Sequence, residues 1–284
     1  NGDDNGSSSL NNDIINNFIY TVIKEQAWYL WYQNVPNIQP ADQEPYEYLE
    51  SLLYQDLDRW SFITDYDTYK AVFVEGKYIG FGFAYQVDMN NDLRVSFVYE
   101  DSPMYDAGIT RGYKIIEIDG TPVQTLLDND SIYYAFGEDE VGKTVDFTFE
   151  ALDGSIIQET FAKKEIQQNT VLHHSVINLE KQKAGYIVFE SFIDISIDEL
   201  DNAFATFKDE DITKLILDLR YNGGGSTEVA QHLGSLIAGK TAKGEVFQRL
   251  MFNDQHAEEN SNEDNISRFT EENYTLDIDT LVVI

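Results

Sequence analysis

The sequence predicts an α+β chain of several domains, and three observations carry that reading. Apolar residues recur at helical spacing up to about Lys70, short strand-like runs broken by Gly and Asp-Gly follow, and strands alternate with helices in the last third. At 284 residues, 42% hydrophobic and 13% aromatic, the chain can bury two or three cores.

The opening tract "NGDDNGSSS", residues 1–9, is polar and rich in Gly, Ser and Asn, as expected of a flexible tether. From Leu10 the apolar residues Ile14, Ile15, Phe18, Ile19, Val22, Ile23 and Leu30 fall at helical spacing, with Asn11, Asn12 or Asp13 as the cap. A second helix is expected from Pro45, which suits a first turn, through Leu49, Leu52, Leu53 and Leu57 toward Trp60. Residues 10–70 thus form a helical region. Its aromatic cluster Trp28, Tyr29, Trp31 and Tyr32 reads as core packing in preference to a sugar platform.

Residues 71–165 predict a β-domain. The strand-like runs are "AVFVEG", "YIGFGFAYQV", "LRVSFVYE", "KIIEIDG" and "TVDFTFEALDG", with one helix-sized gap near "DNDSIYYAFG". Residues 166–284 form the last domain. After a connecting segment, "AGYIVFESF" reads as a strand and "SIDELDNAFATFKDED" as a helix with a capping box from Ser196 to Glu199. "ITKLILDLR" follows as a strand buried on both faces of a parallel sheet, then a helix with Val229, Leu233, Leu236 and Ile237 on one side. The crossover of this βαβα unit should be right-handed. The polar "NDQHAEENSNEDNISRFTEEN" is expected as a surface excursion, and "TLVVI" as the start of another buried strand. A buried strand needs neighbours to cover it, which predicts that the natural protein continues beyond Ile284.

Composition excludes several functions. Nineteen Lys and Arg against 51 Asp and Glu give a net charge of −32, which repels nucleic acid and anionic membrane surfaces. The chain has no cysteine, so disulfides, thiolate metal sites and cysteine nucleophiles are out of reach. No run approaches the ~20 apolar residues of a membrane span, so direct insertion is not expected. "DMNNDL" lacks the glycine and closing glutamate of a calcium loop, the four histidines sit in unrelated contexts, and neither G-x-S-x-G nor H-E-x-x-H occurs. No metal site is expected.

The chemistry-bearing stretch is "LILDLRYNGGGS", residues 215–226, and its glycines admit three readings. They could cradle a phosphate at a helix N-terminus, although G-x-x-x-x-G-K-[ST] is absent and the surroundings are acidic. They could form a tight structural turn. They could also present bare N–H groups to the oxyanion of an acyl-transfer reaction. Ser226 reads as the N-cap of the next helix, and Asp218 with Arg220 as a structural pair.

"AGYIVFESF", "DELDNAFATF" and "KLILDLRYNGGGS" together resemble the core of the C-terminal processing peptidases, the tail-specific and tricorn-like serine peptidases. In the β-domain, "SPMYDAGITRGYKIIEIDGTPV" resembles a PDZ domain and "YIGFGF" its carboxylate-binding loop. "WYLWYQNVP" fits the helical N-terminal region of that family, so the resemblance runs from about residue 10 to 284. It implies a partial α/β core of the ClpP/crotonase-like kind behind a PDZ-like β-domain. It also implies a Ser/Lys-dyad endopeptidase without cofactor that acts on protein or peptide substrates with free C-termini. Gly223 and Gly224 would supply the oxyanion donors, and Gly80, Phe81, Gly82 and Phe83 would hold the terminal carboxylate and an apolar last side chain. The family's serine follows a strand like "LDIDTLVVI" and its lysine comes later. No residue from 1 to 284 matches either, so this stretch alone is expected to be inactive. Export to the periplasm or outer surface, with a lipid anchor on the precursor as one form, is the expected localisation. The alternative is a non-catalytic PDZ-containing peptide-binding or scaffold protein of the cell envelope. A glycan-binding surface protein rests only on acidity and aromatic content.

Overall fold

The computed structural model describes residues 5–41, 43–180, 182–238 and 241–284, with side chains from Asn12 onward. Two compact units emerge: residues up to Thr68 together with Gly244–Phe269, and Tyr69–Lys243 together with Thr270–Ile284. Among the described residues no helix is long and apolar enough to cross a membrane.

In the first unit, α1 (Asn5–Tyr20) runs on into a π-helical turn, Thr21–Glu25. It begins inside the tract expected as a tether, because the low helix propensity of Asn, Gly and Ser hides the start. The first helix packs on α2 (Pro45–Leu52), which has Pro in its first turn as expected. Ile19, Tyr20, Val35, Tyr48, Leu49, Leu52 and Leu53 form their shared core. Asn16 clips the first helix to the segment leading into α2 through Nδ2, which donates to the carbonyls of Ala41 (2.8 Å) and Gln43 (2.9 Å).

A short α3 (Tyr66–Tyr69) leads to a second π-helical turn, Lys70–Val74, where "AVFVEG" predicted a strand. The run is too short for periodicity to separate strand from helix, and Tyr69 packs on Phe73 one turn away at 5.3 Å. Next come β1 (Lys77–Gly80), β2 (Phe83–Val87), β3 (Leu93–Val98), α4 (Pro103–Asp106), β4 (Lys114–Ile118) and β5 (Thr121–Pro122). After α5 (Val123–Asp128) and α6 (Ile132–Ala135) the domain closes with β6 (Thr144–Glu150), β7 (Ile156–Ala162) and β8 (Lys164–Gln167). The main sheet has the order β2-β3-β4-β6-β7, so β2 is an edge strand, and β1 pairs antiparallel with β8. Phe81, Leu93, Met104, Ile115, Phe147 and Phe149 fill the domain core.

In the last third, β9 (Val171–Asn178) occupies what the sequence presents as a connecting segment, and it pairs antiparallel with β10 (Lys183–Phe189). After α7 (Ser196–Asp209), β11 (Lys214–Asp218) runs parallel to β10, with Val188 opposite Asp218. The predicted capping box does not form. Ser196 Oγ donates to the Ser191 carbonyl at 2.8 Å, while Glu199 Oε2 accepts the amides of Thr170 (2.6 Å) and Val171 (2.8 Å) and braces the start of β9. Following α8 (Thr227–Ala238), the hairpin strands β12 (Val246–Arg249) and β13 (Ile266–Arg268) belong to the first unit. Asn253 Nδ2 donates there to the carbonyls of Ala27 (2.7 Å) and Tyr29 (3.0 Å), and His256 stacks on Trp28 at 3.7 Å. The segment assigned on sequence to the 166–284 domain is therefore compact with the helical region. The chain then returns as β14 (Thr280–Val283), parallel to β11, which completes the order β14-β11-β10-β9. Phe204, Phe207, Leu215, Val229 and Leu236 are almost fully buried beneath this sheet. Each contributes roughly 1.5–3 kcal/mol of burial, and the sheet end is fixed accordingly.

Candidate active site

β11 ends on Asp218, whose carboxylate is fully buried. Arg220 donates to it through Nε (3.0 Å to Oδ1) and Nη2 (2.6 Å to Oδ2), and Tyr186 Oη donates to Oδ2 at 2.8 Å. Arg220 holds the carboxyl well below its usual range, at about 2, against the opposing effect of burial. The pair is structural, as its sequence spacing suggested, and it anchors the strand end from which the glycine turn departs.

Asn222 stitches that turn in place. Its amide donates to the Leu219 carbonyl at 2.9 Å, its Nδ2 to the Phe189 carbonyl at 3.1 Å, and its Oδ1 accepts the Gly224 amide at 2.8 Å. The three glycines have different reasons to be glycine. At Gly225, φ is +134° and a Cβ would lie 2.2 Å from the Phe192 carbonyl oxygen. Gly224 has φ +103° in open space. Gly223 has neither constraint, so sterics alone do not demand glycine there. Its amide makes a long bond, 3.3 Å, to the Glu190 carbonyl. All three are exposed, and among the described residues the Gly225 amide has no acceptor. Ser226 caps α8 as predicted, its Oγ accepting from the Glu228 amide at 3.2 Å.

Glu190, just past β10, escaped sequence reasoning. A single charged residue inside the largely apolar "IVFESF" was the available signal. Its Oε2 is buried with no partner among the described residues, and burial pushes its carboxyl up to about 7. The nearby Glu199 charge adds to the shift and the Tyr99 hydroxyl opposes it.

The residues expected to hold a peptide end lie together at the entrance to β2. Gly80 closes β1, and Gly82, at φ +82°, turns the chain so tightly that a Cβ would sit 2.0 Å from Ser102 Cβ. Phe81 is buried against Phe147, with ring centroids 5.2 Å apart, and Phe83 packs between Phe136 and Phe147. A cavity of about 170 Å³ opens beside them, walled by Tyr85, Tyr133 and Phe136. Lys163, nearly fully buried, fixes one wall: its Nζ donates to the carbonyls of Gly137 and Glu138 (both 2.9 Å) and to Asp139 Oδ1 (2.7 Å). Its ammonium lies 5.5 Å over the Phe81 ring.

Comparison with known proteins agrees with this architecture. The peptidase S41 N-terminal domain matches residues 14–62, and peptidase family S41 matches residues 183–282. The chloroplastic carboxyl-terminal-processing peptidase 3 of Arabidopsis thaliana is 25% identical over 142 residues, covering 47% of this chain and 27% of that protein. The chain thus spans about a quarter of the length of that curated relative. The crystal structure of a Bacteroides fragilis protein described as an S41 protease superposes with a TM-score of 0.62 at 21% identity, covering 94% of this chain and 70% of the other. That likeness is one of fold.

Proposed function

Because the chain belongs to peptidase family S41, we propose that it is the substrate-binding and oxyanion-stabilising part of a C-terminal processing serine endopeptidase. The observation that carries the reading is the turn of three exposed glycines at the end of a buried parallel strand, held by the Asp218–Arg220 pair and by Asn222. Backbone amides there can meet charge developing on a scissile carbonyl, in a place the rigid sheet end fixes beforehand. Gly223 and Gly224 are the proposed donors. Each has only a replaceable internal acceptor, the Glu190 carbonyl at 3.3 Å and the Asn222 side chain. A serine nucleophile and a lysine base, its proton affinity lowered by burial, complete the reaction; neither is among residues 1–284.

The β-domain acts in this proposal as a PDZ-like receiver. A peptide adds as a strand along the free edge of β2, its terminal carboxylate at the amides around Gly80–Phe83 and its last side chain in the aromatic cavity. The experiment compares cleavage by the full-length protein of one unstructured polypeptide with a free and with an amidated C-terminus. Faster cleavage of the free form supports the reading, and equal rates remove the receiver from it.

A further inference from the structure

A groove of about 600 Å³ in the larger unit, between β3, the turn before β4 and the ends of β10 and β11, reverses the electrostatic character of the chain. Arg111, Arg220 and His173 line it against one carboxylate, Asp218, in a protein with 51 acidic and 19 basic residues. That carboxylate is buried and already taken by Arg220 and Tyr186. Arg111 has no carboxylate partner among the described residues. Its guanidinium lies 5.6 Å over the ring of Tyr221, which holds the planar fork without using its donors. The turn that carries it is pinned from below, since Arg94 Nη1 donates to the Gly112 carbonyl at 3.1 Å. Arg220 is half exposed and is engaged through Nε and Nη2, which leaves Nη1 without a hydrogen bond among the described residues.

We infer that this groove is a subsite for a carboxylate, supplied by an Asp or Glu side chain of a bound polypeptide, with Arg111 as the main partner and Arg220 as the second. An unpaired guanidinium in a strongly acidic chain attracts anions locally while the rest of the surface repels them. Its planar donors also match a carboxylate better than a backbone carbonyl. Position supplies the polypeptide. Tyr221 is followed directly by Asn222 and the three glycines, so a chain laid along that turn presents a neighbouring side chain to the groove. The polypeptide source rests on the peptidase reading, whereas the carboxylate site rests on the groove alone.

The test titrates N-acetylglutamate N-methylamide, and separately its glutamine counterpart, into isotope-labelled protein while the arginine Nε–H and Tyr221 amide signals are followed. Saturable shifts at Arg111 and Tyr221 with the glutamate compound only, abolished by Arg111→Gln, are expected. Arg111 is exposed, so that variant should keep its Tm. Equal shifts with both compounds, or shifts that survive Arg111→Gln, overturn the site. Two peptides then separate the carboxylate sources, one with an internal glutamate and an amidated end, the other with an internal glutamine and a free end. About tenfold tighter binding of the first to this groove, as competition with the glutamate compound, is expected from one charge-assisted contact. Preference for the second overturns the side-chain assignment. If the glutamate shifts persist while the full-length protein cleaves no peptide, the peptidase reading fails and the carboxylate site stands.

Discussion

The Gly223 amide donates to the backbone carbonyl of Glu190 at 3.3 Å, so the glycine turn leans on a residue whose own carboxyl is buried with one oxygen unpartnered among the described residues. The turn and this buried carboxyl therefore share one residue.

That junction predicts a pH dependence. In the unfolded chain Glu190 ionises near 4.5, and in the folded protein only near 7, because burial disfavours the charge. Its favourable contribution is complete below pH 4.5 and is lost as pH rises through about 7. The upper bound on the loss is about 3 kcal/mol, reduced by the partial solvent access of the side chain. Urea unfolding at pH 5 and pH 8 should show wild type losing stability relative to Glu190→Gln as pH rises. Parallel behaviour of the two proteins would contradict this.

Neighbouring glycines should respond unequally to alanine. Gly225→Ala places a Cβ against the Phe192 carbonyl at φ +134° and should cost about 2 kcal/mol or more. Gly223→Ala meets open space and should change stability by less than about 1 kcal/mol. Thermal unfolding of both variants decides the point, and a larger loss at Gly223 would show that the turn has been misread.

Asp218→Asn removes the negative partner of Arg220 and weakens the bond from Tyr186. Losing a buried charge-assisted network costs about 2 kcal/mol here, since Arg220 is half exposed and can turn to water. The wild-type contribution is present above pH 3.8 and disappears as pH falls through about 2. Denaturation curves at pH 6 and pH 2 should therefore converge for the two proteins only in acid.

In the β-domain, Gly82→Ala and Gly154→Ala form a matched pair. Both have φ near +82°, but only Gly82 would meet a neighbour, Ser102 Cβ at 2.0 Å. Gly154→Ala should cost only backbone strain of about 1 kcal/mol, and Gly82→Ala clearly more. Fluorescence anisotropy with a labelled peptide should show lost binding for Gly82→Ala alone. Equal losses would separate the loop from peptide capture.

Much of this architecture was legible because local pattern and tertiary demand agree. The apolar run of "KLILDLR" forms the expected parallel strand, with Leu215 and Leu217 buried and Ile216 partly so, and of the four apolar positions expected on one side of α8, Val229, Leu233 and Leu236 are buried and Ile237 partly buried. Failures occurred where long-range contacts decide. Glu199 matches a capping box in spacing but reaches back 29 residues to Thr170. The 244–269 hairpin looks like a loop because its partners, Ala27, Trp28 and Tyr29, lie more than 200 residues away. Within the site, "NGGG" announced a special backbone, but not that Gly225 is the sterically obligate glycine or that Glu190 supports the turn.

The most direct measurement of the central claim is product analysis by mass spectrometry after the full-length protein meets an unstructured polypeptide with a free apolar C-terminus. Hydrolysis of internal peptide bonds, abolished when the serine proposed as nucleophile is replaced by alanine, is the predicted result. Binding of the same polypeptide without any cleavage would contradict it and leave a peptide-binding scaffold in its place.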